Sequence, residues 1–371
     1  MMRMWGLFGF VGFGCIAVSG GGGGGDADVD SDADVDSDAD SDTDSDVPTG
    51  AVDLLFMVDE SNSILQEQQS LGDAIPVLIG ALTESPGAPT SLHVGVVSHD
   101  MGTGGFPVTT CGEGDDGALQ HEPSPLVEGC AASYPTFLEW AQGDDAGDVS
   151  SDLRCIATLG VGGCGFEQSL AAVDKALGEN AAPGGPNAGF LRAGSVVAVV
   201  LLTDENDCSA SDPRIFDTNA EDLGPLNLRC FNNPDMLVEV GAFASALAAV
   251  PSGGPSRLVV AVIAGVPTDL VGLSEAAIAS GDPQGAADFA TILGDPRMEE
   301  AVDFSAEGGG NRLIPSCDGE RGALYPPRRI VELVQSVDAA GAVGIVQSAC
   351  QSDLSAPAAT IAAAIRSRLR L

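Results

Sequence analysis

The sequence predicts an α/β protein: a doubly wound, mostly parallel sheet with helices on both faces and long, disulfide-braced loop insertions. Three observations carry this expectation. From Ala51 onward, apolar runs of strand length alternate with segments of helical periodicity. The runs are continuous rather than alternating in polarity, the pattern of strands buried on both faces. Of the eight cysteines that follow Cys15, seven fall in the irregular stretches between the runs.

The elements follow in order. AVDLLFMV (51–58) is the first strand, and 64–82, with Leu65, Leu71, Ile75, Leu78 and Leu82, the first helix. SLHVGVVS (91–98) is the second strand, FEQSLAAVDKAL (166–177) a helix, and SVVAVVLLT (195–203) the most hydrophobic strand of the chain. A helix around 235–249 leads into RLVVAVIAG (257–265). A helix over 328–338, the short strand GAVGIVQ (341–347) and the closing helix ATIAAAIRSRLRL complete the pattern. Arg366, Arg368 and Arg370 suit the negative end of that last helix dipole. The stretches 99–165, 205–233 and 266–325 read as insertions. Insertions that follow sheet strands lie at the carboxyl edge, where such folds bind ligands.

The first fifty residues read as address and tether. Residues 1–19 have the pattern of a signal peptide, with Arg3 ahead of an apolar run too short to span a bilayer. Ala17 and Ser19 suit ordinary cleavage, whereas GFGC ending at Cys15 resembles a lipobox, with Gly12 and Phe13 departing from its usual pattern. Residues 20–49 form a glycine and poly-aspartate linker in which Asp occupies every even position from Asp26 to Asp46. Self-repulsion keeps such a tract extended and solvated. The Gly and Glu that an EF-hand loop needs at its sixth and twelfth positions are missing. Residues 50–371 form the folded domain.

Over the whole chain 54 acidic residues face 15 basic ones, a net charge of −39, of which the tract supplies eleven. A polyanion is repelled by nucleic acid and by anionic lipid, so neither is expected as a partner and membrane contact runs only through a lipid anchor. Divalent cations are its natural counterparts. An even cysteine set in an exported protein implies up to four disulfides. Nearest-neighbour pairing is the expectation: Cys111 with Cys130, Cys155 with Cys164, Cys208 with Cys230, and Cys317 with Cys350. No CxxC spacing signals zinc.

The first strand runs directly into DESNS. Asp59, Ser61 and Ser63, two residues apart on a strand-to-helix turn, can aim a carboxylate and two hydroxyls at one point, hard oxygen ligands suited to Mg²⁺ or Ca²⁺. The strand ending TDENDCS places Asp204 at the equivalent edge. If the two strands are neighbours, unpaired carboxylates that close favour a cation between them. The competing reading is that Asp59 and Ser61 cap the following helix.

Here the chain resembles the von Willebrand factor type A (vWA) family over roughly residues 50–371. DxSxS after the first strand matches that family's metal-ion-dependent adhesion site, and the apolar strand ending in TD matches its second acidic element. GGCGFEQSLAAVDKAL, NAGFLRAG and LLTDENDCSASD look like an exported, cysteine-rich bacterial subgroup. The resemblance implies divalent-metal-dependent binding of a protein ligand whose acidic side chain completes the coordination. The chain departs from the family at GGCGF, where Cys164 stands in place of a ligating Thr, with Glu167 or Thr158 as possible substitutes, and at Asn62, which replaces a Gly. Glu205 and Asp207 would make the site more anionic.

An enzyme needs a nucleophile or base. His93, within a strand, reads as structural, and His99-Asp100 is the one pair that could serve as acid and base or as an extra ligand. There is no GxSxG elbow, no Walker loop and no GxGxxG, and Ser61 stands where a haloacid-dehalogenase-type enzyme needs a second Asp. The function that the vWA resemblance implies is non-enzymatic: a cell-envelope or surface module for metal-dependent adhesion. The rivals are a structural envelope protein with a degenerate site and, behind it, a metal-dependent hydrolase.

Overall fold

The sheet is built from the apolar runs. The computed structural model describes residues 50–271, 287–305, 307–319 and 322–370. Its main strands are β1 (Ala51–Val58), β2 (Ser91–Ser98), β3 (Leu138–Ala141), β4 (Val196–Leu202), β5 (Leu258–Ala264) and β8 (Val343–Ser348). They form one sheet in the order β3-β2-β1-β4-β5-β8. All neighbours are parallel except β3, which runs antiparallel to β2 at the edge. A separate hairpin pairs β6 (Cys317–Gly319) with β7 (Gly322–Leu324). The chain divides into two units, Met1–Asp44 and Ser45–Leu371, and the described residues all belong to the second. The signal segment 1–19, Cys15 and the linker 20–49 lie outside the described residues.

Two-sided burial explains the unbroken hydrophobicity of the central strands. Val52, Leu54, Phe56 and Val58 of β1 point to one layer, formed by α1 (Leu65–Thr83), α2 (Ala146–Ala157) and the last helix, α8 (Ser355–Arg368). Leu55 and Met57 point to the other, formed by α3 (Ser169–Leu177), α5 (Val240–Ala249), α6 (Phe289–Gly294) and α7 (Arg328–Ala339). One further turn, α4 (Arg229–Asn232), sits in the loop after β4. None of the helices among the described residues is long and apolar enough to cross a membrane.

The main differences from the sequence reading lie in the insertions and helix ends. The stretch 99–165 contains β3 and α2. β3 is only four residues long, and most residues of α2 are small or charged, with Val149, Leu153 and Ile156 as its buried branched side chains, so neither leaves much pattern to read. The segment around 235–249 is α-helical only from Val240, because Pro234 opens a separate 3₁₀ turn over Pro234–Met236. Four disulfides are present among the described residues, and two of the expected pairings are corrected: Cys111 joins Cys164, and Cys130 joins Cys155. The reason is α2, which carries the chain back along the sheet so that Cys155 returns to the Cys130 loop, where Ser124 N–H donates to Cys155 O. Cys164 instead joins a third apolar cluster with Phe166, Cys208, Ile215 and Phe216, against which Cys111 packs. Cys208–Cys230 and Cys317–Cys350 pair as expected.

Candidate metal centre

β1 and β4 are adjacent and in register, Val58 opposite Leu202, so the residues leaving their carboxyl ends emerge side by side. Asp59 N–H still donates to Leu202 O at 3.0 Å, which continues the ladder by one step. The chain then turns: Ser61 N–H donates to Asp59 Oδ1 at 2.8 Å, and the Ser61 and Ser63 hydroxyls lie 3.2 Å apart. The capping alternative is overturned, because α1 begins only at Leu65 and its N-cap, Ile64, makes no side-chain cap bond. DxSxS belongs to the loop at the sheet edge and not to the helix.

The structure brings Asp59, Ser61, Ser63 and Asp204 to one place. Asp59 has no exposed surface and Asp204 is 2% exposed. The Asp59 carboxylate is held by Thr203 Oγ1–H, which donates to Oδ2 at 2.6 Å, and by His99, whose Nδ1 lies 3.2 Å from Oδ1. Burial pushes its pKa up, but His99, Thr203 and the Ser61 amide together hold it below the ordinary carboxylate value. Asp204 is the opposite case. Burial, then the charges of Asp59 and Glu205, raise it to about 8, against a smaller opposing effect of Ser63. Its Oδ1 is buried and accepts no hydrogen bond. Backbone fixes the residue, since Tyr325 N–H donates to Asp204 O at 2.8 Å.

Two further carboxyls crowd the same edge. Burial, Glu205 and Asp59 lift Glu167 well above its usual range, and burial and Asp59 lift Glu205 to about 7. The one imidazole among them is His99. Burial disfavours its charged form, but Asp59, Glu167 and the Cys164 carbonyl outweigh that and raise it to about 10. The side chains offered as ligands here, Asp59, Ser61, Ser63 and Asp204, all present oxygen. No three His, Cys, Asp or Glu side chains among the described residues converge as a cage that could hold a metal ion by themselves; the candidate set is two carboxylates with two hydroxyls.

The other expected contributors divide. Asp207 is spent on structure: it accepts from Leu170 N–H at the start of α3, from Ser209, and from Arg329. The Thr158 hydroxyl donates back into α2 at Arg154 O. Glu167 is 5% exposed and sits beside the cluster. Sequence reasoning misses Thr203, although it precedes Asp204, and Gln68, whose amide donates to Asp59 O at 2.6 Å and to Gly160 O at 2.8 Å. His93, the strand histidine, bonds Phe190 O at 2.8 Å, away from this edge. A cavity of about 520 Å³ opens next to the cluster, lined among others by Ser61, Ser63, Glu167, Glu205, Arg312 and Tyr325.

No family model matches the chain, and no curated protein matches it. Among solved structures it is similar to a von Willebrand factor type A protein from Catenulispora acidiphila, at 14% identity and a TM-score of 0.25. That match covers 58% of this chain and 38% of the other, so the chain spans well under half the length of the protein it matches. At this level the likeness carries no argument about the site, and the fold rests on the sheet order and helix layers.

Proposed function

We propose that this chain is an exported vWA-like module that binds a partner protein through a divalent cation, Mg²⁺ or Ca²⁺, at Asp59, Ser61, Ser63 and Asp204. The observation that carries the reading is the orphaned Asp204 Oδ1, a buried oxygen without a donor beside the second buried carboxylate of Asp59. An unsatisfied buried acceptor is costly, by about 1–3 kcal/mol or more when charged, and an ion between the carboxylates would offset that cost. The all-oxygen donor set suits a hard cation. When bound, the ion supplies an electrophilic position for a partner's acidic side chain. Thr203 and the Ser61 amide keep Asp59 in place, and exposed Ser63 stands at the mouth of the cavity that would receive that side chain.

The assigned role is binding, not catalysis. Both His99 ring nitrogens are engaged, Nδ1 by the Asp59 carboxylate and Nε2 by the Cys164 carbonyl, which leaves neither for a substrate proton. Four disulfides fit an oxidising compartment. With the signal-like start they support a place in the cell envelope or outside it, by lipidation at Cys15 or by cleavage. A structural envelope role is the second reading, and it is favoured by the protein partners that Asp59 already has.

Calorimetric titration with Mg²⁺ and with Ca²⁺ of the protein and its Asp59→Ala and Asp204→Ala variants decides between them. The poly-aspartate tract is common to all three, so its ion binding cancels. The unaltered protein should show a saturable site and gain about 2.7 kcal/mol of stability at a hundred times the Kd. Both variants should lose it. Indistinguishable titrations would leave only the structural role.

A further inference from the structure

Cys164 brings no hydroxyl to the carboxyl edge, yet each of its polar groups is committed there. Its carbonyl accepts His99 Nε2–H at 2.7 Å, and its amide N–H donates to Asp100 Oδ2 at 3.2 Å. Its sulfur is bonded to Cys111. The preceding amide, of Gly163, donates to Glu60 O at 3.0 Å, and the Glu60 N–H is directed at His99 Nδ1 at 3.1 Å. A Cβ at Gly163 would meet Glu60 Cγ at 2.4 Å, so the loop lies directly against the DESNS turn. His99 has no exposed surface, and its Nδ1 is 3.2 Å from Asp59 Oδ1. A ring tethered at Nε2 by a carbonyl has both its plane and the direction of Nδ1 fixed.

We propose that His99 and the Cys111–Cys164 disulfide are positioning residues for Asp59: the bridge holds the Cys164 carbonyl, the carbonyl orients the imidazole, and the imidazole fixes the carboxylate beside Asp204. The chain thus carries a covalent brace at the place where a further oxygen ligand was expected. The affinity part of this inference rests on the cation reading; the structural part does not. Asp100 reinforces the brace, since its Oδ1 accepts Gly102 N–H at 2.8 Å while Oδ2 takes the Cys164 amide. The bridge is reachable, because Cys111 is half-buried while Cys164 has no exposed surface.

The test uses the full chain labelled with ¹⁵N. It has three histidines, His93, His99 and His121, so the imidazole signals can be assigned with His99→Gln. Without added metal, opening the bridge as C111S/C164S should shift the His99 ring signals and leave those of His93 and His121 in place. Calorimetry with Ca²⁺ should then show affinity lower by about 10–100-fold, the usual effect of losing a group that orients a ligand. The C130S/C155S variant, which opens a bridge outside this set of contacts, should change neither readout. His99→Gln, whose amide can still reach the Cys164 carbonyl, should keep more affinity than His99→Ala, and this comparison decides the matter if C111S/C164S does not fold. Unmoved His99 signals, equal effects of the two bridge variants, or equal loss in the two His99 variants would overturn the proposal. If the unaltered protein binds no Ca²⁺, the cation reading fails, and the imidazole signals still decide the positioning claim.

Discussion

Asp53 shows how much a single buried charge demands of its surroundings. It sits in β1 with no exposed surface, and Arg192 meets it with a backbone N–H and Nε, both at 2.7 Å, while Ser195 Oγ–H adds a third donor at 2.6 Å. Arg192→Ala would strip the carboxylate of its counter-charge and leave it in the sheet. The expected cost is about 3–5 kcal/mol, read from urea unfolding; a change within about 0.5 kcal/mol would mean that Asp53 does not depend on Arg192 for its counter-charge. The same demand explains which residues of the candidate site can be read from the sequence. Asp59, Ser61 and Ser63 are legible because their spacing is local, and Asp204 because it ends an unmistakable strand. Thr203 and the role of His99 are not, since Thr203 lies 144 positions from the carboxylate it serves and the His99 ring is fixed by a carbonyl 65 positions away. Nothing in either residue's neighbours announces those pairings.

Elements are legible to the degree that their burial leaves a pattern. β1, β4 and β5 are buried at every position and appear in the sequence as unbroken apolar runs. α8 is the contrary case. Its SAPAATIAAAIRSR sequence is so rich in alanine that no apolar stripe stands out, and its first turn carries no helical signal, so the sequence predicts the helix only from Ala359. Ile361 and Ile365, one turn apart and fully buried, mark the face that joins the layer of α1 and α2. Ile361→Ala should therefore cost about 2–5 kcal/mol in thermal or urea unfolding, and Ala359→Ser, on the exposed side, less than about 0.5 kcal/mol. Similar small effects at both positions would mean that this helix is not docked as described. β3 and α2 escape notice for a related reason. A four-residue edge strand alternates buried and exposed positions only twice, too few to rise above the surrounding loop.

Charge belongs to the molecule as a whole. A net −39 on 371 residues resists compaction through self-repulsion. Raising NaCl from about 10 to 150 mM shortens the screening length from roughly 30 to 8 Å. The melting temperature should rise over that range, in scanning calorimetry with EDTA present to exclude divalent ions; a flat or falling profile would show that the surface charge is already offset locally. The cross-links have a direction of their own. Every one of the four bridges engages a loop or helix end at the carboxyl edge of the sheet, while the short turns at the amino edge carry none. Among the described residues, the cross-links therefore fasten one rim of the sheet and not the other. A change in the redox state of its surroundings would slacken that fastened rim first, while the sheet beneath, sealed between two layers of helices, stayed whole.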